Sequence, residues 1–475
     1  MLQTLKNAWN TKDIKSKILF TLLILVIYRI GTVIPVPFVD TNNFSAIFAG
    51  TILDYMNILS GGALEVATLF ALGVSPYINA SIIMQLLGVA FPKLGEMSKD
   101  EQGKKKMNFI TRCVTVGLAL VTAIGYFFLL KSNGFLTSEA AAATGFMAFL
   151  YAAVIVICYC AGASLIMWLA ERINEKGIGN GISIILFANI IAVLPSTIIR
   201  LVNFVISAFS TNDTVWLRAS CAILFALFVI AATVAMTVFI IWVTGSERRI
   251  PVQYAKKVVG RKMYGGQTSN LPIKLNMTGV MPVIFASSIV SLVPTILALC
   301  GVSYDATKET HTFWEGLSHF LATDGWFYPV CLFILIIAFA YFYTQISFNP
   351  VEVANNLKKQ GGAIPGIRQG RPTSDYIRKI LNKVTLVGAL FLSVIAILPT
   401  IAGPHIFKYI IYAIMKDSAY TTSSAAESLM SEAGQIASTF TFGGTSLLIA
   451  VGVVLETFRE LEAQLTMRNY KGFLN

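Results

Sequence analysis

Ten long stretches of this chain are almost free of charge, near residues 18–36, 57–91, 110–130, 146–170, 180–199, 218–244, 277–299, 326–347, 379–401 and 440–459. No charged residue occurs between Arg218 and Glu247, between Lys274 and Asp305, or between Gly325 and Glu352. A membrane-crossing helix needs about 20 apolar residues, so the pattern predicts a bundle of spanning helices rather than a soluble core. The second stretch departs from the others. Residues 57–72 contain Gly61, Gly62 and Glu65, a poor composition for a span. Gly73 can end a helix, and Ser75 followed by Pro76 can cap and start another. The second half runs from Pro76 to Phe91 and stops at Pro92, 16 residues covering about 24 Å. That is shorter than the roughly 30 Å hydrocarbon core. The reading is two half-helices broken near Gly73, lining a protected cavity, because broken backbone at membrane depth needs protein or water around it.

Composition and charge give the topology. The chain is 56% hydrophobic and 13% charged, against roughly 25% charged in soluble domains. Of its 36 Lys and Arg, 29 fall in the segments 1–17, 92–112, 171–179, 245–277, 348–383 and 456–475. The alternate segments 31–73, 131–146, 200–218, 299–326 and 400–440 hold 6. Basic residues resist translocation, so the basic side is cytoplasmic, both termini lie inside and the number of crossings is even. The net charge of +12 would point to nucleic acid in a soluble protein; here the topological bias accounts for most of it. The first span begins near Ile18 without a small-residue cleavage site and is expected to stay in the protein. Arg29 lies within that span, where a cation is costly, and is expected to make a structural polar contact. The apolar piece Ile406 to Met415 is too short to cross and is expected to form an interfacial helix.

The chemistry of catalysis is missing from the pattern. The six cysteines lie in or beside apolar spans and read as small packing residues, and the three histidines form no H-E-x-x-H motif. There is no Walker A sequence, and G-I-G-N-G-I-S from Gly177 follows no predicted strand, so it reads as a helix stop, turn and restart. No cofactor or metal is expected. A secondary transporter would also use broken helices, but it would place ionisable groups near the midplane, where this chain has only Arg29.

Five blocks carry a resemblance. GGALEVATLFALGVSPYINASIIMQLL from Gly61, LAERINEKGIGNGISIILFANI from Leu169, ERRIPVQYAKKVVGRKMYGGQTSNLPIKLNMTGVMPVIFASSI from Glu247, ISFNPVEVANNLKKQGGAIPGIRQGRPT from Ile346 and FGGTSLLIAVGVVLE from Phe442 resemble, in order, segments of the SecY family of bacterial protein-conducting channels. The resemblance implies an all-α membrane protein of ten transmembrane helices in two inverted halves, 1–200 and 201–475, around an hourglass pore. It implies a constriction ring at Val74, Ile78, Leu186, Ile284 and Ile449, which would gate by dewetting; Val74 and Ile78, four apart, share a helix face. It implies a half-helix plug at 57–72, including Gly61, Gly62, Ala63, Leu64, Leu69 and Phe70. It also implies a lateral gate in which Asn79, Ser81 and Gln85 meet Ser287 and Ser288 of the seventh span.

The loops 245–277 and 348–383 hold 14 Lys and Arg against Glu247, Glu352 and Asp375. By resemblance they dock the SecA ATPase or the ribosome through Arg248, Arg249, Lys256, Lys257, Arg261, Lys262, Lys358, Lys359, Arg368 and Arg371. The further partners implied are the small subunits SecE and SecG, signal sequences, unfolded secretory chains and membrane lipid, in the bacterial cell membrane. The chain departs from the family twice. The family turn commonly reads G-I-R-P-G, whereas Gln369 follows Arg368 here, which is expected to loosen that turn. The exterior segment 400–440 is also longer than in most relatives.

Overall fold

The computed structural model describes residues 2–40, 52–97, 100–209, 215–254, 257–259, 262–264, 268–299, 313–320, 327–415 and 443–471, with isolated positions 325, 433 and 437. Among the described residues, every predicted span but the second falls on a single long helix. In chain order the helices are α1 (Leu2–Asn10), α2 (Lys12–Gly31), α3 (Ile52–Ser60), α4 (Ser75–Ala90), α5 (Pro92–Met97), α6 (Glu101–Ser132), α7 (Ser138–Ala142), α8 (Phe146–Lys176) and α9 (Gly181–Phe209). They continue with α10 (Val215–Gly245), α11 (Met281–Leu299), α12 (Phe313–Phe320), α13 (Phe327–Ser347), α14 (Pro350–Lys359), α15 (Arg371–Ala402), α16 (Lys408–Met415) and α17 (Gly443–Lys471). Local signals set several starts. The Asp100 side chain accepts from the amide of Glu101 to open α6, and Asn349 accepts from Val351 to open α14 with Pro350 in its first turn.

The outer faces of these helices are apolar. Leu22, Leu23, Val26 and Ile30 stand exposed on α2, as do Leu224, Leu227, Val234 and Val238 on α10. This inverts the soluble pattern and fits helices solvated by lipid tails. Among the described residues, six helical stretches are long and apolar enough to cross a bilayer, from Glu101–Ser132 to Arg371–Ile414. Inside, a large apolar cluster joins α2, α4, α8, α9, α11, α13, α15 and α17, with Ile24, Ile166, Ile185, Val283, Ile336, Ala396 and Val453 among its members. A second cluster, built on Ala123, Leu130, Ile155 and Tyr159 of α6 and α8, packs against residues 64–71.

The apolar piece at Ile406 to Met415 is helical but not isolated. A π-helical turn, Gly403–Phe407, links α15 to α16, and Ile411 and Ile414 pack against Phe204 and Phe225 of α9 and α10. It therefore packs on the ends of two neighbouring spans, with Ile406, Tyr409 and Ile410 left exposed. The cysteine expectation also changes in part, since Cys113 and Cys221 are exposed on their helices rather than packed.

Strands form where loops were expected. In the basic loop after α10, β1 (Glu247–Tyr254) is followed by a hairpin of β2 (Lys257–Val259) and β3 (Lys262–Tyr264), then by β4 (Thr268–Lys274). β1 pairs antiparallel with β4, from Glu247 opposite Lys274 to Gln253 opposite Thr268. Its other edge pairs with β5 (Gly362–Ala363), which belongs to the loop before α15. Ile250 and Val252 alternate inward from β1 and meet Ile273, Leu357, Ile364, Ile377 and Leu381. The two basic loops thus share one hydrophobic core.

The terminal helices also meet. Ala8, Ile14, Ile178 and Leu461 form a small cluster, and Lys17 Nζ donates to Gln464 Oε1 at 3.2 Å.

Ile377 is fully buried beneath the sheet. Ile377→Ala should cost the loop body about 2–4 kcal/mol. Hydrogen exchange of the amides in 247–254 should accelerate by at least about 30-fold while amides of α8 stay protected; equal protection in both proteins would exclude a shared loop core.

Candidate functional site at the broken second span

The break is sharper than the sequence pattern suggested. α3 ends at Ser60, and residues 61–74 form consecutive turns before α4 begins at Ser75. The expected half-helix over 57–72 is therefore corrected: only 57–60 are helical. The cause is the glycine pair, Gly61 and Gly62, at φ +71° and +86°, a left-handed conformation that no helix continues through. Val74, rather than Ser75, occupies the N-cap of α4, without a side-chain capping bond, while Pro76 sits in the first turn as expected.

The turn segment is tightly held. Asn57 clasps Glu65 twice: its amide donates to Glu65 Oε2 at 2.9 Å and its Oδ1 accepts from the Glu65 amide at 3.0 Å. Ser60 Oγ accepts from the Leu64 amide at 3.1 Å. The backbone after α2 adds a short bridge, with Leu69 donating to Ile34 O and Val36 donating to Ala67 O. Four side chains from neighbouring spans then donate to carbonyls at and beside the break. Asn189 of α9 reaches Leu59 O at 2.7 Å, Arg29 of α2 reaches Gly61 O at 3.4 Å, Tyr126 of α6 reaches Leu64 O at 2.7 Å and Tyr159 of α8 reaches Ala67 O at 3.4 Å. Arg29 also donates to Thr32 Oγ1 at 3.4 Å. Ala67 is held at φ +47°, a conformation that costs an L-residue about 1–2 kcal/mol. A Cβ added to Gly162 of α8 would lie 1.9 Å from Leu69 O, so only glycine admits this close approach.

Of the predicted plug residues, Ala63, Leu64 and Phe70 are buried, with the Phe70 ring stacked on Tyr28 at 5.4 Å. Leu69 is half-buried, and Gly61 and Gly62 are partly exposed. The five predicted ring residues are all buried: Val74 is 2% exposed, Ile78 3%, Leu186 1%, Ile284 5% and Ile449 1%. They come from the start of α4 and from α9, α11 and α17, and all belong to the central apolar cluster. None faces the outer perimeter.

The gate expectation changes in its details. α4 does pack against α11. Ser287, however, donates back to the Ile284 carbonyl of its own helix at 3.0 Å, and the Ser288 carbonyl accepts from Ser291. Gln85 instead donates to Ser81 at 3.1 Å and accepts from the Tyr343 hydroxyl of α13. Tyr343 packs edge-on against Phe285 of α11 at 5.1 Å, so it bridges the two helices that the serines were expected to join. Asn79 is half-buried, and its Oδ1 has no hydrogen-bond partner. A cavity of about 630 Å³ opens beside Ser81 and Gln85, lined also by Tyr77, Arg112, Glu171 and Ile346. Arg112 and Glu171 pair across it at 2.8 Å, tying α6 to α8.

On the loop body, Arg248, Arg249, Lys358, Lys359, Arg368 and Arg371 are all exposed. Arg249 pairs with Glu247 at 2.7 Å. Lys257 and Lys262 lie on the β2–β3 hairpin, and Lys256 and Arg261 fall outside the described residues. Partial burial, reinforced by the Arg459 charge, lowers the pKa of Lys274 from its usual value, and Glu247 opposes the shift. The expected loosening at Gln369 is also corrected. Gln369 donates to Gly362 O on β5 at 3.1 Å, and Thr373 Oγ1 closes the turn onto Arg368 O at 2.8 Å.

Sequence reasoning missed Asn57, Asn189, Tyr126, Tyr159 and Tyr343. Each is a polar group inside an apolar span, which is the available signal.

A multi-span helical bundle with a broken second span and a basic loop body defines a polytopic membrane protein of the channel class. The SecY family model matches residues 68–458. A protein translocase subunit SecY from Streptomyces coelicolor is 39% identical over 485 residues, covering 100% of both chains. The fold is similar to a SecY channel solved in a study of its plug domain, with TM-score 0.57 at 18% identity over 94% of this chain and 92% of that one. It is also similar to Sec61 in a canine ribosome–channel complex, with TM-score 0.56 at 17% identity and the same coverage. The chain belongs to the SecY family.

Removing the Asn189 donor strands the buried Leu59 carbonyl, which costs about 1–3 kcal/mol. Asn189→Leu should therefore lower the thermal midpoint of the purified protein by several degrees; an unchanged midpoint would remove this bond from the account.

Proposed function

We propose that the chain is the channel-forming subunit of a protein translocase, conducting unfolded polypeptides across the membrane and releasing apolar segments sideways into lipid. The observation that carries this is the burial of five aliphatic side chains from four helices in one cluster, directly beside a non-helical segment folded into the bundle. Such a seal excludes ions because dry aliphatic walls offer water no hydrogen bonds. It can also yield around a chain of varying side chains, since dispersion contacts have no fixed geometry.

In this reading residues 61–74 are the plug, and Val74, Ile78, Leu186, Ile284 and Ile449 are the ring. The lateral gate is the α4–α11 seam with α13 beside it, held by Gln85 and Tyr343. Ser287 and Ser288 contribute to its packing. The halves 1–200 and 201–475 flank the pore. The meeting of α1 and α17 supports both termini lying on one side, and the charge pattern makes that side the cytoplasm of a bacterial cell. The chain does no catalysis of its own. Motion comes from a SecA ATPase, a translating ribosome or the membrane potential, with SecE and SecG as companions. The exposed arginines and lysines of the loop body suit acidic protein surfaces or RNA phosphates.

The deciding experiment is photocross-linking from positions 78 and 284 to a stalled, signal-bearing secretory chain; a saturable small solute with no polypeptide adduct would favour a transporter instead. In planar bilayers, Ile78→Asp with Ile284→Asp should raise resting ion conductance severalfold, and an unchanged conductance would count against the ring. Arg368→Glu should cut SecA-driven secretion about tenfold or more while the protein still inserts in the membrane, and normal secretion would refute that contact.

A further inference from the structure

We infer that Tyr126 and Tyr159 form a two-point latch on the turn segment 61–74, and that their hydroxyls set how readily the segment leaves the bundle. This rests on reading that segment as the plug. The two residues sit on different helices, α6 and α8, which pack together. Their rings meet edge to face at 5.1 Å and 72°, and both are essentially unexposed. They grip carbonyls three residues apart, Leu64 O and Ala67 O. A tyrosine pair locked by its own ring contact presents two preoriented donors to one short stretch of backbone.

The gripped backbone is the strained part. Ala67 holds its left-handed conformation while its carbonyl also receives the amide of Val36. Strained backbone persists only where its surroundings over-determine it. Loss of the tyrosine contacts removes part of that determination and lets Ala67 relax, so the latch is spring-loaded towards release. The frame behind it is stiff: α6 and α8 are tied at their other ends by Arg112 and Glu171, and Gly162 lets α8 press directly on the Leu69 carbonyl.

The two tyrosines are thus positioning residues for the closed state. Tyr→Phe deletes each donor and keeps the ring contact. A buried hydrogen bond contributes an amount that corresponds to about 3- to 10-fold in an equilibrium. The test uses the full-length channel in liposomes, with the six native cysteines replaced by alanine and a reporter introduced by Ala63→Cys, a buried plug position. The readout is the rate of reaction with a water-soluble maleimide, measured only on folded, monodisperse protein. Tyr126→Phe and Tyr159→Phe should each speed labelling about 3- to 10-fold and raise halide leak in parallel. Tyr341→Phe is the control: its hydroxyl donates to a carbonyl outside the turn segment, Asn382 O at 3.2 Å, at an exposed position, and it should leave the rate unchanged. Parent-like labelling in both variants, or equal acceleration by Tyr341→Phe, overturns the latch. The readout needs no transported polypeptide. If the parent protein carries no polypeptide yet the labelling shifts hold, the channel reading falls and the latch stands.

Discussion

The structure depends on one constraint: backbone polar groups inside a bilayer must be satisfied by the protein itself. Helices meet it automatically. Residues 61–74 do not, since glycine-driven turns leave their carbonyls without helical partners. The surrounding spans therefore place side chains where an apolar bundle would ordinarily have none. Asn189, Arg29, Tyr126 and Tyr159 each arrive from a different helix and each ends on a carbonyl at or beside the break. The intramembrane arginine, costly in isolation, is explained in the same way: it serves the Gly61 carbonyl.

That satisfied segment lies against the central apolar cluster. Val74 closes the turn region and also belongs to the central apolar cluster, so the polar clamp and the aliphatic waist share a residue. The two depend on different physics. The clamp is directional and made of a few hydrogen bonds, each worth little net energy. The waist is non-directional and made of many small contacts. Together they give this region close packing through the second and a fixed register through the first.

Much of this was legible in the sequence. Charge-poor runs located the long apolar helices, and Gly73, Ser75 and Pro76 located the start of α4 to within a residue. The aliphatics at 74, 78, 186, 284 and 449 were identifiable only through resemblance, because nothing in their composition separates them from lipid-facing neighbours. Three features were hidden for physical reasons. The turns after Ser60 depend on two adjacent left-handed glycines, and a hydrophobic pattern averages over such a pair. Ser287 looked like a seam donor, but hydroxyls in helices readily bond their own backbone, and the seam was taken instead by Gln85 and Tyr343. The strands β1 and β4 were hidden by the charge and length of a loop read for its basic residues, and β5 was hidden because it pairs with β1 from about a hundred residues away, which no local window detects. Gln369 was misjudged because its acceptor, the Gly362 carbonyl seven residues upstream, comes within reach only when that turn folds back on itself.

The shared core of the two basic loops has a mechanical meaning. α15 contributes Ile377 and Leu381 to that core and, further along the same continuous helix, Leu392 and Ile395 to the central cluster. A push or twist delivered to either loop is therefore felt by a single continuous helix whose far portion lies in the central cluster. The loop body is thus a handle on the bundle, and its leverage over the central cluster is fixed by where along α15 those two cores sit.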